Sequence, residues 1–396
     1  MLNQAVIFCG GFGTRLLPLT KKIPKPMVMV DGKPFLYHLI SQSKQNGIKN
    51  FLILCGYKHE VIKKYFGNGS KFGVKIKYHY NDPKIETFKR LLDARHLIKK
   101  TFLLLYGDNY SSLNLHDLIN QKYFKKKSLL ITVSKKNCHG NIKLNEKNNL
   151  ISKYFFTKQK SLSYVEIGYM ILEKNILPKT MKPKNISFNH FINYCVQRKK
   201  AFFYLNDTGY LSISNIDRLK ITRKYFKKKI ILLDRDGVIN QKNKKHFYVR
   251  SLNELKINYK FIKKYYQLLK NKKIICITNQ AGISTGDVTE KNLKFIHKKI
   301  IQEYKKKKLH IVDFFISKHH FTSTHTDRKP GHGLFLKASK KHKFILDKTF
   351  YIGDDLRDAK AAYGAKTQFL YEGEEKLKKS SLLFLKNTLV KIDKNV

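Results

Sequence analysis

The sequence predicts an α/β protein with two doubly wound domains, and three observations support this prediction. Short apolar segments alternate with segments of helical periodicity along most of the 396 residues. The alternation stops at a basic stretch, RKYFKKK at 223–229, and a fresh alternating series begins after it. In both series, glycines and acidic residues follow apolar strands, where α/β sheets bind ligands. We therefore expect a first domain at 1–224, a basic junction at 225–229 and a second domain at 230–396.

Each series predicts a parallel sheet, because helical segments separate its successive strands. In the first series the expected strands are 4–9, 49–56, 74–80 and 101–108, and the expected helices are 34–47, 58–66 and 87–98. In the second series the expected strands are 230–234, 273–279, 311–317, 349–355 and 367–371, and the expected helices lie near 258–270, 289–306 and 333–342.

Composition limits the class of protein. No apolar run reaches the roughly 18–20 residues of a membrane span, and the N-terminus lacks the basic leader of a signal peptide. The five cysteines have no CxxC spacing, which favours reduced thiols in a cytoplasmic protein. A net charge of +53 attracts phosphorylated substrates. Its lysine runs, such as 123–127 and 304–309, are scattered and lack an aromatic-basic motif, so we expect no nucleic-acid partner. The sequence leaves an oligomer open.

The first candidate site follows the first strand, in GGFGTRLLPLTKKIPKPM at 10–27. Glycines there let backbone N–H groups approach a polyphosphate closely, and Arg15 and Lys25 can add charge-assisted contacts. Asp108, which ends another apolar strand, and Asp207 in NDTG can hold a divalent cation beside phosphates. Two carboxylates around one Mg²⁺ at a triphosphate are an arrangement for nucleotidyl transfer.

This composite resembles the signature of sugar-1-phosphate nucleotidylyltransferases. The resemblance begins with GGFGTRL and PKPM, continues through GDNY, HGN, TKQ, VEIGY and NDTG, and covers roughly residues 3–220. It implies a nucleoside triphosphate and a phosphorylated sugar as substrates, with Arg15 and Lys25 acting on the triphosphate and Mg²⁺ held by Asp108 and Asp207. The implied nucleotide-binding residues are Gly10, Gly11, Gly13, Thr14 and Thr87. The implied sugar-phosphate-binding residues are Gly140, Lys158, Glu166 and Gly168.

The chain departs from this family's pattern at two places. The usual T-G-G-R-L near the nucleobase reads TFKRL at 87–91, and the usual E-K-P reads TKQ at 157–159. Because glycine permits close backbone approach, we expect Phe88 and Lys89 to crowd the nucleobase region. The base stays open on this evidence: GTP is favoured, and ATP, CTP, UTP and dTTP are the alternatives.

The second candidate site follows the apolar strand in LLDRDGVIN at 232–240. Strand alternation sends the side chains of Asp234 and Asp236 the same way, so that one can attack a phosphoryl group while the other acts as acid and base. Later segments carry a hydroxyl, a cation and two metal candidates, which are Thr278, Lys329, Asp354 and Asp355. Together these groups form a constellation for phosphoryl transfer.

This order of motifs resembles the haloacid dehalogenase superfamily of phosphatases. DRDGVIN, TNQAGIS and RKPG are similar to D-glycero-D-manno-heptose 1,7-bisphosphate phosphatases and to histidinol phosphatases, over about residues 230–375. The resemblance implies that Asp234 forms an aspartyl-phosphate, while Asp236 protonates the leaving oxygen and later activates water. The implied Mg²⁺ ligands are Asp234, Asp236 through its backbone carbonyl, and Asp354. The implied substrate contacts are Thr278, Asn279 and Lys329 to the phosphate and Arg328 to a second phosphate.

The heptose phosphatases often carry a zinc loop just before RKP, and this chain lacks its cysteines. The matching residues are Ser317, His319, His325 and Asp327. A structural zinc normally takes Cys or His ligands, so we expect no structural zinc here. A weak His/Asp metal site and a substrate-specificity lid are the alternatives.

The two resemblances together imply a bifunctional enzyme with two Rossmann-like domains, a nucleotidyltransferase fold followed by a haloacid dehalogenase-like fold, with Mg²⁺ at both sites. The phosphatase would remove the 7-phosphate of the heptose bisphosphate, and the transferase would activate the heptose 1-phosphate for cell-surface glycan assembly. One alternative is a nucleotidylyltransferase fused to a histidinol-phosphate-type phosphatase. Another is a basic nucleic-acid-binding protein built on degenerate enzyme domains, for which Phe88 and Lys89 are the only support.

Overall fold

The computed structural model describes residues 2–112, 114–121, 128–136, 138–178, 185–243 and 248–373. The lysine run at 123–127 lies outside these described residues. The chain divides into two compact units between Arg223 and Lys224. Among the described helices, none combines the length and apolarity that a membrane span requires. All five cysteines are free thiols, and four of them are buried.

The first unit opens with a strand, as expected. Its described strands are β1 Gln4–Cys9, β2 Met29–Val30, β3 Lys33–Pro34, β4 Asn50–Cys55, β5 Lys75–Tyr80, β6 Thr101–Tyr106, β7 Asn109–Tyr110, β8 Leu129–Lys135, β9 Gly140–Asn145, β10 Leu150–Gln159, β11 Tyr164–Glu173, β12 Ala201–Asn206 and β13 Leu211–Ser212. The helices are α1 Phe35–Gln45, α2 His59–Phe66, α3 Thr87–Asp93, α4 Leu115–Ile119, α5 Phe188–Gln197 and α6 Ile216–Phe226, the last of which crosses the division between the units.

The main sheet of the first unit is parallel in one half and mixed in the other. Its strand order is β5-β4-β1-β6-β11-β8-β12-β10-β9. Strands β5, β4, β1 and β6 pair in parallel, as the alternating sequence predicts. Strand β11 runs antiparallel to β6 and β8, and β10 runs antiparallel to β9. The sequence prediction named no strands in this half; the short turn between β9 and β10 is of the length that joins antiparallel strands.

The parallel half brings the ends of β1 and β6 together. These strands pair in register from Ala5 with Leu103 to Phe8 with Tyr106. Every residue of β1 is buried, and helices α3 and α5 pack against one face of the sheet through a shared apolar core. The loop after β1 and the residues after β6 therefore emerge side by side at the carboxyl edge of the sheet.

The second unit is a five-stranded parallel sheet covered on both faces. The strands are β14 Ile230–Leu233, β15 Lys273–Asn279, β16 His310–Ser317, β17 Phe350–Gly353 and β18 Gln368–Tyr371, in the order β16-β15-β14-β17-β18. The helices are α7 Tyr259–Leu269, α8 Glu290–Lys306, α9 Gly333–His342 and α10 Leu356–Gly364. Alternate residues of β14 separate the two cores: Leu232 packs with α9 and α10, and Leu233 packs with α7 and α8. This arrangement places the ends of β14, β15 and β17 at one edge.

Two candidate active sites

The loop after β1 has the shape of a phosphate-binding turn. Gly13 has a φ of +70°, and a Cβ there would lie 3.1 Å from the Thr20 side chain and 3.2 Å from the Lys25 side chain. Glycine is therefore required at this position. The Thr20 hydroxyl donates to the Gly13 carbonyl at 2.9 Å and fixes the turn. The exposed members of the loop that the sequence predicts as ligand-binding are Gly11, Thr14 and Arg15.

Gly10 makes room for a buried arginine. A Cβ at Gly10 would lie 2.3 Å from the guanidinium carbon of Arg90, which is only 2% exposed. The guanidinium donates to the Ile85 carbonyl at 2.7 Å and to the Cys55 carbonyl. Arg90 thus ties the end of β4 and the segment before α3 to the underside of the glycine loop. No motif in the sequence points to this support.

The residues that replace the usual glycines of the nucleobase region face the protein itself. Phe88 is 2% exposed and stacks on Phe191 with 4.6 Å between ring centroids. Lys89 pairs with Asp93 one helical turn later. The side chain of Phe88 therefore fills the core instead of the nucleobase region, contrary to the expected crowding. The Thr87 hydroxyl, predicted to bind nucleotide, accepts a hydrogen bond from the backbone N–H at 188 and joins α3 to α5.

Lys25 and Asp108 meet across the first site. The Lys25 ammonium lies 3.1 Å from Asp108 Oδ2, and the two side chains are 17% and 23% exposed. The segment that carries Asp207 runs beside the one that carries Asp108, because β13 pairs with β7 and the Ile213 N–H donates to the Asp108 carbonyl. Asp207 itself is exposed on the turn after β12. A carboxylate that already attracts an ammonium, with a second carboxylate on the adjoining segment, fits a divalent cation.

Glu166 lies on a bulged part of β11 near Asp108. The pairing of β11 with β8 shifts register between Glu166 and Met170. Within the bulge, Gly168 has a φ of +73° and packs so closely on the Tyr106 ring that a Cβ would lie 2.6 Å from it. The Gly168 N–H donates to Glu166 Oε2 at 2.8 Å. Burial raises the pKa of Glu166 to about 7; the Gly168 N–H opposes this shift and Asp108 adds to it.

Gly140 and Lys158 lie on neighbouring strands. Gly140 pairs with Gln159, the residue next to Lys158, at the start of β9. A Cβ at Gly140 would lie 2.5 Å from the Tyr164 carbonyl oxygen, so a larger residue would push the strands apart. Lys158 is exposed and its ammonium is accessible to an anion. Both predicted sugar-phosphate residues thus belong to the antiparallel half of the sheet.

The second site is a buried cluster of three carboxylates, two of which pair with one lysine. The Lys329 ammonium lies 2.6 Å from Asp234 Oδ1 and 2.6 Å from Asp358 Oδ1. Asp234, Asp354 and Asp358 each offer a carboxylate oxygen, and these oxygens all lie within 4.8 Å of one another. Three converging carboxylate oxygens fit a divalent cation, which prefers oxygen ligands.

The lysine and the carboxylates depend on each other electrostatically. Burial and then Asp358 raise the pKa of Asp234, so that a nearby cation is needed to keep it ionised. Burial alone would lower the pKa of Lys329, but Asp234 and Asp358 more than offset it and raise that pKa. The Tyr351 hydroxyl donates to Asp358 at 2.8 Å and lies 2.9 Å from the Lys329 ammonium. The cluster is therefore held in one geometry before any ligand arrives.

Asp236 faces a separate set of donors. Its carboxylate accepts two-pronged contacts from the fully buried Arg235, with the shortest at 2.9 Å. Asn240 Nδ2 donates to Oδ1 at 3.0 Å, and Gln280 Nε2 donates to Oδ2 at 2.8 Å. Burial would raise the pKa of Asp236, but Arg235 and these donors lower it below its usual value. Gln280 also donates to the Thr278 hydroxyl at 2.9 Å, which links Asp236 to the end of β15.

A largely exposed lysine, Lys242, pairs with the solvent-facing side of the carboxylate cluster. The Lys242 ammonium lies 2.7 Å from Asp354 Oδ2, and its side chain is 58% exposed. Asp354 reaches this position because residue 237 is glycine: a Cβ there would lie 1.8 Å from Asp354 Oδ2. The ammonium shows that the outer side of Asp354 attracts a cation in this structure.

The expected metal candidate Asp355 is not part of the cluster, which is a correction to the sequence prediction. Its side chain caps α10 by accepting the backbone N–H groups of Arg357 and Asp358, and it pairs with the Arg357 guanidinium. Asp358, which no motif singled out, joins Asp234 instead. The α-helical turn that begins at Asp355 points Asp358 back toward the sheet, where it accepts the N–H of Asp354 at 3.0 Å.

Asn279 and Arg328, which the sequence predicts as substrate contacts, form hydrogen bonds within the protein beside the second site. Asn279 and Lys329 exchange two hydrogen bonds of 3.0 Å between the Asn279 amide and the Lys329 backbone. These bonds hold the lysine in place, so Asn279 supports the lysine in addition to any contact with a phosphate. Arg328 is 6% exposed and donates to the His319 carbonyl at 3.2 Å.

The loop before Arg328 gathers three groups that can bind a metal. His319, His325 and Asp327 offer donor atoms within 4.8 Å of one another. The two imidazole rings stack with 3.9 Å between centroids. Asp327 also pairs with Lys337. Among the described residues, the loop brings no thiolate to this group. Of the two alternatives that the sequence left open, a weak His/Asp metal site and a substrate-specificity lid, the positions of these donor atoms favour the metal site.

Comparison with known proteins identifies the first unit. The Nucleotidyl transferase family profile matches residues 4–207, which is more than half of the chain. The chain belongs to the nucleotidyl transferase family. A D-glycero-alpha-D-manno-heptose 1-phosphate guanylyltransferase of Campylobacter jejuni is 30% identical over 216 residues, which are 53% of this chain and 94% of that protein. A glucose-1-phosphate cytidylyltransferase of Salmonella typhimurium is 34% identical over 154 residues, 33% of this chain and 60% of that protein.

One solved structure supports the fold of this nucleotidyl transferase unit. A Bacillus anthracis protein assigned as a glucose-1-phosphate thymidylyltransferase superposes with a TM-score of 0.50 at 20% identity, over 56% of this chain and 93% of its own. At that identity the likeness shows the fold alone. The sequence relatives support sugar-1-phosphate nucleotidylyltransferase activity.

The second unit matches a different family. The Polynucleotide kinase 3 phosphatase profile covers residues 229–377. The protein is therefore an enzyme that joins a sugar-phosphate nucleotidyl transferase to a phosphatase-like domain, as the motifs predict.

Proposed function

We propose that the protein is a bifunctional cytoplasmic enzyme that makes a nucleotide-activated heptose. Its second unit removes the 7-phosphate of D-glycero-D-manno-heptose 1,7-bisphosphate, and its first unit transfers a nucleotidyl group, from GTP, to the resulting heptose 1-phosphate. The proposal rests on one observation: the same chain contains two sites. One is the glycine loop with the Lys25–Asp108 ion pair, and the other is the buried cluster that contains Asp234 and Lys329.

In the first reaction, an oxygen of the sugar phosphate attacks the α-phosphorus of the triphosphate, and the bond to the bridging oxygen of pyrophosphate breaks. Arg15 and Lys25 stabilise the charge that accumulates on the departing pyrophosphate. Asp108 and Asp207 would hold Mg²⁺, which supplies further neutralisation when it is bound. Lys158 attracts the sugar phosphate. The ionised Glu166 carboxylate accepts a hydrogen bond from a sugar hydroxyl.

In the second reaction, Asp234 Oδ attacks the phosphorus of the 7-phosphate, and the bond to the sugar oxygen breaks as Asp236 gives that oxygen a proton. Asp236 then takes a proton from water, whose oxygen attacks the aspartyl-phosphate and releases inorganic phosphate and free Asp234. Lys329 offsets the phosphate charge. Asp234, Asp354 and Asp358 would hold Mg²⁺, which adds neutralisation when bound. Because its pKa is low, Asp236 rests in its base form and first takes up a proton from solvent or from the monoanionic phosphate, which it then gives to the leaving oxygen.

The pairing of activities favours heptose as the sugar. A phosphatase that removes the 7-phosphate leaves the 1-phosphate, and a sugar-1-phosphate nucleotidylyltransferase consumes that group. The relative from Campylobacter jejuni is named for heptose 1-phosphate and a guanylyl group, which supports heptose and GTP together. The haloacid dehalogenase-like assignment of the second unit rests on its motifs and on the carboxylates at the strand ends of a parallel sheet.

The test is a coupled assay with purified full-length protein. We expect heptose 1,7-bisphosphate, Mg²⁺ and GTP to give inorganic phosphate, pyrophosphate and a nucleotide-heptose, with lower rates for ATP, CTP, UTP and dTTP. Parallel reactions offer histidinol phosphate and an oligonucleotide 3′-phosphate to the second unit. Faster phosphate release from either of these than from the heptose bisphosphate would overturn the proposed substrate.

A further inference from the structure

A lysine-lined concavity lies at the amino edge of the second sheet. Its volume is about 870 Å³, within the range of small-molecule sites. Three chain segments form it: the junction before β14, the turn between α7 and β15, and the start of β16. The described lining residues are Lys224, Lys227, Lys228, Lys229, Lys270, Asn271, Lys272, Lys273, His310 and Val312.

The charge of this concavity exceeds the general basic character of the chain. Lys and Arg make up 81 of the 396 residues, or about one in five. Seven of the ten described lining residues are lysines, and among those ten there is no aspartate or glutamate. Six of the seven lysines are exposed to solvent. A lysine-rich composition alone spreads charge evenly over the surface, whereas here it converges on one cavity.

The concavity is separate from the candidate phosphatase site. Lys229 directly precedes β14, and Lys273 and His310 begin β15 and β16. The carboxylate cluster instead follows the carboxyl ends of β14 and β17. Because the strands are parallel, the two features lie at opposite edges of the same sheet. A ligand in the concavity is therefore distinct from the substrate beside Asp234.

The lysines repel each other in the absence of an anion. Burial, and then the neighbouring Lys229 ammonium, lower the pKa of Lys272 below its usual value. Crowded ammonium groups favour any ligand that brings several negative charges within a few ångströms. Lysine offers compact point charges with three rotatable donors, which suit phosphate oxygens.

We propose that this concavity binds a compact polyphosphate, such as inorganic triphosphate or the phosphate chain of a nucleotide. The shape favours this class over a nucleic-acid strand: the lysines curve around one cavity from three segments instead of following a stripe. No phenylalanine or tyrosine is among the described lining residues, so the cavity lacks the platform on which unpaired bases stack.

Calorimetric titration of the full-length protein with inorganic triphosphate, in EDTA, tests this proposal. One variant combines Lys227→Gln, Lys229→Gln and Lys270→Gln. The control combines Lys291→Gln, Lys298→Gln and Lys305→Gln, which removes the same charge from exposed positions of α8. We expect the first variant to weaken binding at one site at least about tenfold, the control to change it less than about twofold, and both to keep pyrophosphate release unchanged.

Additional titrations identify the source of the phosphates. At the binding site that the first variant weakens, equal affinity for triphosphate and GTP, with no binding of guanosine, assigns the phosphates alone; tighter binding of GTP at that same site assigns a nucleotide. Equal weakening in both variants would show that the general positive field attracts the anion, and would overturn the proposal. The proposal would also be overturned if a 20-nucleotide RNA, but not triphosphate, lost affinity in the first variant.

Discussion

The two candidate sites use the same chemical groups at very different degrees of burial. In the first, Arg15 is exposed, and the ion pair between Lys25 and Asp108 is partly open to solvent. In the second, Lys329 is 4% exposed and lies between two buried carboxylates. The first site therefore depends on its ligands to complete its charge balance, whereas the second is organised in advance by its own side chains. Mutations should consequently affect activity at the first site and both activity and stability at the second.

The largest effect is expected at the proposed nucleophile. Asp234→Asn removes the attacking carboxylate while it keeps the volume, so phosphate release should fall by at least about 10⁴-fold. Pyrophosphate release by the first unit should stay within about twofold in the same preparation. Both products are measured in separate single-substrate assays, so that neither reaction limits the other.

Asp355→Asn is the matched control for this variant. It makes the same chemical change next to the cluster, and asparagine caps a helix about as well as aspartate. Phosphate release by this variant should stay within about threefold of the parent, since Asp355 serves α10 and lies outside the carboxylate group. A loss equal to that of Asp234→Asn would mean that the cluster has been assigned to the wrong carboxylates.

A smaller loss is expected when the first site loses its metal-ligand candidate. Asp108→Asn should reduce pyrophosphate release by roughly 10²–10³-fold, because the Mg²⁺ that would neutralise the transition-state charge loses a charged ligand. Phosphate release should be unchanged. Retention of full nucleotidyl transfer at saturating Mg²⁺ would exclude Asp108 from the reaction.

The free energy of unfolding should fall more when Lys329 is replaced than when Lys25 is replaced. Lys329→Met leaves Asp234 and Asp358 buried without their cation, and breaking such a buried pair costs about 3 kcal/mol or more of unfolding free energy. Lys25→Met removes a partly exposed pair and should cost less than about 1 kcal/mol. Urea unfolding, followed by a probe in each unit, measures both values. Equal costs would contradict the contrast between an open and a preorganised site.

The smallest effect is a pH dependence of sugar binding. The ionised Glu166 carboxylate accepts a hydrogen bond from a sugar hydroxyl more strongly than the protonated carboxyl does, and its pKa is about 7. The KM for the sugar phosphate should therefore rise about tenfold as the pH falls from 8 to 6, because the ionised fraction falls about tenfold. Glu166→Gln should raise the KM and remove this part of the pH profile. A parent and variant with parallel profiles would assign the titration to another group.

The sequence predicted the sites best at positions where the local backbone restricts the residue type. Gly13 and Gly168 both have positive φ values, and the acids at 108, 234 and 354 all follow apolar strands. These features are local, so motifs and alternation predict them. The parallel core of each sheet follows from the same alternation.

Long-range contacts were missed because no local pattern encodes them. Arg90 supports the glycine loop from eighty residues away, in a segment whose spacing predicts only a helix. Asp358 replaces Asp355 in the cluster because Asp355 caps α10, and the first turn of that helix brings Asp358 back to the end of the sheet. The mixed half of the first sheet likewise depends on pairings between strands that are distant in sequence, such as β11 with β6.

The most direct test of two independent sites on one chain is complementation in solution. Asp234→Asn and Asp108→Asn proteins are each supplied with heptose 1,7-bisphosphate, GTP and Mg²⁺, first alone and then mixed. The account predicts nucleotide-heptose synthesis at no more than about a hundredth of the parent rate from either protein alone, and restored synthesis from the mixture, because the released heptose 1-phosphate reaches the intact first site of the other protein. A mixture that still makes no nucleotide-heptose, although each variant keeps its own remaining half-reaction, would contradict it.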